Sequence, residues 1–258
     1  MKDKQDDLIN YVIALGDDSL ILGQRLSEWC YHAPFLEEDL ALANVALDFI
    51  GRAQMFYEYA SQLETRVLKE NARSADQIAF LRDTRDYRNL LIVELPIGDF
   101  AFTMARQFTV DVFNQLYLQQ LVNSTDSTLA AIAGKAIKET DYHLRRSQEW
   151  MLRLGDGTDE SHQRMEKALK ELWGYTAELF TMSAYETALL RDGISIDRTA
   201  LCSDWRKIVT ELLQQATLKV PSDEWQVTGG REGLHTEHQG DILAKMQYLQ
   251  RTYPGLEW

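Results

Sequence analysis

The chain has 258 residues, 45% of them apolar and 26% charged, enough to bury a large core. Its 14 glycines and 4 prolines are few for this length, which excludes collagen-like, disordered and turn-rich all-β architectures. A formal charge of -13 opposes a polyanionic partner such as DNA or RNA, and no concentrated basic patch offsets it.

Met1 to Asp7 is charged and lacks the apolar run of a secretory signal, so a cytoplasmic protein is expected. The first predicted helix runs from about Asp6 to Tyr31. Pro34 separates it from the second, Leu36 to Leu63, and residues 72–96 are less regular. A third helix is predicted over Asp99 to Val122, with Asp99 as its cap, and a fourth over Ser127 to Leu154. The uncharged run Val112 to Thr125 is too short and too rich in Asn and Gln to span a membrane, which takes ~18 apolar residues. Shorter helices follow near Glu160 to Trp173, Thr176 to Leu190, Thr199 to Leu218 and Glu237 to Tyr253. Gly155 and Gly193 stand where left-handed caps are wanted, and Pro221 to Gly233 reads as a long ordered loop. Cys30 and Cys202 are widely separated and read as reduced core residues, with no disulfide or zinc framework. The expectation is an all-α chain without repeats: one domain over 1–258, with a four-helix bundle at about 6–154 and accessory helices at about 158–258.

Bundle cores often hold metal pairs, so polar residues on apolar faces are the candidates for chemistry. The second helix is apolar nearly all round from Leu40 to Ile50, which predicts burial of Asn44 and Asp48. Asp111 follows Thr103 and Gln107 at helical spacing on the third helix. Glu139 and His143 share a face of the fourth, and Asp17 lies one heptad before Gln24 on the first. A di-iron centre needs Glu-x-x-His on two helices, but Tyr142 stands three after Glu139 and Gly51 three after Asp48. Asp159-x-x-His162 and Glu232-x-x-His235 match the spacing only in form, since neither lies in mid-helix. Asp17, Asn44, Asp48, Asp111, Glu139 and His143 are therefore read as a vestigial centre, a buried polar core paired with Arg25, Arg52, Arg106 or Lys138. The competing reading leaves several of these charges on solvated faces. His235-Thr236-Glu237-His238 is read as a helix start capped by Thr236 rather than as a metal site. No dinucleotide, phosphate-loop or nucleophile-elbow motif is present.

Several phrases spread along the chain carry a resemblance. They are Leu15-Gly16-Asp17, Gln24-Arg25-Leu26 and Glu28-Trp29-Cys30; LALANVALD at 40–48; NLLIVE at 89–94; and Lys135 to Arg145. Further on come TGG at 228–230, GLHTEH at 233–238, MQYLQR at 246–251 and the terminal PGLEW. With them the chain resembles, over essentially its whole length, the C-subunit family of bacterial phenylacetyl-CoA epoxidases of phenylacetate catabolism. The resemblance implies a ferritin-like subunit without catalytic or metal-binding residues of its own. It implies pairing with a catalytic A subunit that holds the di-iron site and the CoA-ester pocket and adds oxygen across the aromatic ring. A bridging B subunit and a reductase with FAD and an iron-sulfur cluster, fed by NADPH, complete the implied assembly. Tyr31, Gln239 and Lys245 stand where that family leads one to expect glycine, an apolar residue and an acidic residue. The alternatives are a self-sufficient di-iron oxidase with atypical ligands, built from Asp17, Asp48, Asp111, Glu139 and His143, and a free-standing helical scaffold. An obligate partner face would be apolar; its residues are not readable, and the aromatic C-terminal end with Trp225, Tyr248, Tyr253 and Trp258 is one candidate.

Overall fold

The computed structural model describes residues 2–255, and among them all regular structure is helical. The α-helices are α1 Lys2–Ser27, α2 Leu36–Leu68, α3 Ala75–Phe80, α4 Leu91–Glu94, α5 Phe100–Leu121, α6 Ser127–Gly155, α7 Asp159–Leu172, α8 Ala184–Leu190, α9 Cys202–Gln215, α10 His238–Met246 and α11 Tyr248–Thr252. No described helix is long and apolar enough to cross a membrane. The chain divides into two compact units. One runs up to Pro96 and adds Ser183–Leu189 and the chain from Gly229 onward; the other holds Ile97–Met182 and Leu190–Thr228. The segments after residue 158 are divided between the two units.

The first unit is built on an antiparallel pair, α1 against α2. A Cβ at Gly16 would stand 2.6 Å from the Tyr57 ring, and one at Gly23 would stand 2.9 Å from Ile50 Cγ1 and 3.1 Å from the Ala46 carbonyl. The two glycines therefore set how closely the helices approach. Leu42, Val45, Ala46, Phe49, Ala53, Phe56 and Tyr57 form the buried face of α2 at three- and four-residue spacing. α3, in the stretch the sequence left irregular, starts with a capping box: the Ser74 hydroxyl accepts from Gln77 N–H while the Gln77 side chain accepts from Ser74 N–H. The long hairpin of the second unit is also antiparallel. The Phe100 and Trp150 rings meet edge to face at 4.9 Å, and Gln115 donates to Asp141 at 2.7 Å. Asp99 caps α5 as expected, accepting from Phe102 N–H at 2.8 Å. Trp205 of α9 packs on Trp173 and Phe180 and donates its indole N–H to the Thr109 carbonyl at 2.9 Å. Its polar edge is thereby satisfied inside the core.

Several local expectations fail for identifiable reasons. The segment expected as one helix over Thr176 to Leu190 is a 3-10 stretch, Trp173–Phe180, followed by a break and then α8. The break is held by Glu186, which accepts from Ser183 N–H at 2.8 Å, and by the buried Arg198, which donates to the Glu178 and Leu179 carbonyls at 2.6 and 2.8 Å. Gly193 has the left-handed φ of +69° that its cap position predicted. Gly155 is instead the last residue of α6, and its role is close approach, since a Cβ there would stand 2.4 Å from the Ala216 carbonyl. Cys30 is exposed and Cys202 half-buried, so neither is a core residue. Trp225 is partly exposed and seats its ring where a Cβ at Gly174 would lie, while Tyr248 and Tyr253 are exposed. The expected aromatic end also includes Trp258, which lies outside the described residues.

α1 stops at Ser27 rather than Tyr31, and Tyr31 adopts a left-handed φ of +67°. This is the position where the family resemblance calls for glycine, and the backbone supplies the reason. Tyr31→Gly is expected to raise stability by about 0.5–1 kcal/mol, the relief of a left-handed β-carbon less the added unfolded-chain entropy. Thermal denaturation of the two proteins checks this.

Candidate functional site

Buried charge in the first unit gathers in linked networks on the α1–α2 hairpin. Asp17, fully buried, accepts from the Tyr57 hydroxyl at 2.6 Å, from Arg88 N–H at 2.7 Å and from both terminal nitrogens of Arg82, one of them at 3.0 Å. Four donors occupy the four lone-pair directions of the carboxylate. The Arg82 guanidinium also stacks 4.0 Å from the Tyr87 ring centroid. Burial alone would lower the Arg82 pKa, but the Asp17 charge outweighs it and raises the value above that of free arginine. Burial, reinforced by Asp17, raises Tyr57 well above an ordinary phenol, and Tyr87 is pushed up to about 12 chiefly by burial. Both tyrosines stay protonated and donate.

Asp18, the next residue, accepts both terminal nitrogens of the buried Arg231, at 2.9 and 2.6 Å. Arg231 also donates to the Arg88 carbonyl and stands 3.9 Å from the buried Glu186. One guanidinium therefore ties α1, the 82–88 turn and α8 together.

The third network joins two of the phrases that carried the resemblance. Glu94, fully buried at the end of NLLIVE, accepts from Asn89 Nδ2 at 2.8 Å, from His235 Nδ1 at 2.7 Å and from Thr236 N–H at 2.5 Å. His235 also places Nε2 3.1 Å from the Tyr87 carbonyl. A carboxylate and a carbonyl offer no proton, so both ring nitrogens donate and the imidazole is charged. Burial alone would lower the His235 pKa, but the Glu94 hydrogen bond and charge raise it. Arg25 donates to the Glu94 carbonyl at 2.9 and 2.8 Å and to the Glu28 carboxylate. Gln239, expected to be apolar, donates to Asn89 Oδ1 at 3.0 Å, which accounts for a polar side chain there. Lys245, where an acid was expected, faces Glu28 at 3.9 Å.

In the second unit Asp111 accepts from Gln107 Nε2 at 2.6 Å and from the Ser147 hydroxyl at 2.8 Å, between α5 and α6. His143 is buried on α6, and Arg146 lies 3.7 Å from Met104 Sδ.

Of the residues singled out in the sequence, Asp17, Asp111 and His143 are buried, Asp48 and Glu139 are half-buried, and Asn44 is exposed. The Asn44 expectation is corrected: the apolar character of 40–50 continues around α2 onto a face the chain leaves uncovered, and Asn44 lies on that face. The pairing of Asp17 is corrected too. Its partner is Arg82, while Arg25 serves Glu94 and Lys138 is exposed. Glu94, His235 and Arg231 were missed as site residues, although their neighbours stand out in NLLIVE, GLHTEH and TGG. The Thr236 hydroxyl accepts from His238 N–H, the first residue of α10, at 3.4 Å, while the N-cap residue Glu237 makes no side-chain cap bond. Of the two formal Glu/Asp-x-x-His matches, His162 bonds the Gly155 carbonyl at 2.7 Å and His235 bonds Glu94 rather than Glu232. Among the described residues, no three His, Cys, Asp or Glu side chains stand together at metal-ligand spacing.

Long helix hairpins with carboxylates and arginines sealed into their interiors define an all-α protein of the ferritin-like class. The chain belongs to the phenylacetic acid catabolic protein family, whose model matches residues 1–258. It is 48% identical, over 98% of its own length and 100% of the relative's, to the C subunit of the 1,2-phenylacetyl-CoA epoxidase of Escherichia coli (strain K12).

Proposed function

We propose that this chain is the non-catalytic C-type subunit of a phenylacetyl-CoA 1,2-epoxidase, pairing with and stabilising a di-iron catalytic A subunit in aerobic phenylacetate degradation in the cytoplasm. Similarity along the full length to the C-type component of the Escherichia coli epoxidase supports its place in such a complex. The observation that carries the non-catalytic part is the state of Asp17: four hydrogen bonds from three residues, two of them from one guanidinium, take the lone pairs an iron would need. Asp111 likewise accepts from Gln107 and Ser147, and the mid-helix Glu-x-x-His pairs of a di-iron site are missing. This donor set does not fit a di-iron pair. In this reading the iron and the CoA-ester pocket belong to the A subunit, FAD and the iron-sulfur cluster belong to the reductase, and a B subunit bridges the assembly. The contribution of this chain is a rigid helical body against which the catalytic subunit folds.

Metal analysis tests the reading, with the chain purified alone and again after co-expression with the catalytic subunit. Iron in the co-purified complex and less than 0.1 per isolated chain, a threshold of roughly one-twentieth of a di-iron load, is the expected result. About two irons per isolated chain would make it an oxidase in its own right. Failure to co-purify would favour a free-standing scaffold.

A further inference from the structure

We propose that the outer face of α2 from Leu36 to Gly51, extended by the N-cap residue Phe35, is the surface on which the catalytic subunit docks. The inference rests on reading the chain as a subunit of the epoxidase.

Phe35 is 61% exposed, Leu36 71%, Leu40 58% and Leu47 64%. On α2 the three leucines follow a helical stripe that runs through Asn44 and is about 17 Å long at 1.5 Å per residue. Single exposed apolar residues are ordinary on a monomer, whereas several along one stripe mark a surface that another chain covers.

A further feature makes it a built surface. Gly51 stands one turn beyond Leu47 in the middle of a 33-residue helix, and a Cβ there would meet nothing within 4 Å. Glycine at such a place costs about 1 kcal/mol relative to alanine, and no contact within the chain calls for it. A partner backbone crossing close to α2 would.

Charge selects the occupant. The stripe is bordered by Glu37, Glu38 and Asp39 at one end and by Glu58 beyond Gly51 at the other. A two-fold contact with a second copy would set acid against acid, whereas a different chain with apolar side chains ringed by Lys and Arg meets this border favourably.

The test measures association with the purified catalytic A subunit by sedimentation velocity, for the wild type, Gly51→Leu and the double variant Leu40→Ser/Leu47→Ser. Gly51→Leu improves local backbone energetics, so its loss of binding is not a loss of folding. Both variants are expected to bind at least about tenfold more weakly, and wild-type association to weaken with added salt. Wild-type association together with undiminished binding by both variants would overturn the surface alone. No association by the wild type would overturn the subunit reading with it. A wild-type homodimer abolished by the same variants would overturn the choice of occupant.

Discussion

Asp17→Ala is expected to destabilise the chain by about 3–5 kcal/mol, the usual consequence of stripping one partner from a buried ion pair. The substitution leaves Arg82 sealed in the interior with its charge unmatched, and it orphans the Tyr57 hydroxyl and the Arg88 N–H at the same time. Arg82 cannot escape by losing its proton, because guanidinium stays charged in proteins. It keeps only its bonds to the Ile78 and Asp86 carbonyls, at 2.5 and 2.9 Å, which satisfy hydrogens but not charge. The double variant Asp17→Ala/Arg82→Met should recover at least about 1 kcal/mol, since two apolar side chains leave no uncompensated ion. Urea unfolding of the wild type, the two single variants and the double variant gives the coupling directly. A single-variant loss below about 1 kcal/mol would show that water reaches Arg82 and that the pair is not the anchor of the α1–α2 hairpin.

Glu94→Ala is expected to cost about 3 kcal/mol, because three donors from two distant segments converge on that one carboxylate. The effect should be milder than at Asp17, since His235 can shed its proton when its counter-charge is removed. The same pair gives the wild type a pH dependence of definite sign. The His235 pKa is raised in the folded state above its ordinary 6.5, so the folded protein holds the proton more tightly than the unfolded chain. The stabilisation is complete below pH 6.5 and is lost as pH rises through the elevated folded value. Unfolding free energies from pH 5.5 to 8.5 should fall with rising pH in the wild type and lose that component in His235→Gln. Equal slopes in the two proteins would mean that the imidazole is not charged in the fold.

These networks change how the local phrases of the sequence are understood. NLLIVE and GLHTEH lie far apart in the chain but form two halves of one polar contact, Asn89 and Glu94 with His235, Thr236 and Gln239. The glycines around them serve the same assembly. Gly233 has a φ of +76°, and a Cβ there would stand 2.4 Å from the Arg85 carbonyl, so the loop reaches the network only without a side chain at that point. A chain that seals this many charges inside one unit places them with little freedom to move.

Apolar periodicity by itself determined the four long helices, because a 3.6-residue repeat sustained over several turns has few other solutions, and Asp99 and Gly193 were legible as caps for local steric and hydrogen-bonding reasons. The absence of mid-helix Glu-x-x-His was equally plain, since that motif is contained in one turn of one helix. Tertiary structure alone decided the partners of the buried charges. Asp17 meets Arg82 and Glu94 meets His235 across long stretches of chain, and no local pattern encodes which of several arginines or histidines arrives. It also decided which apolar residues stay outside. Leu40 and Leu47 read the same as Leu42 and Val45 in composition, and burial distinguishes them only once α1 covers one face of α2 and leaves the other to water.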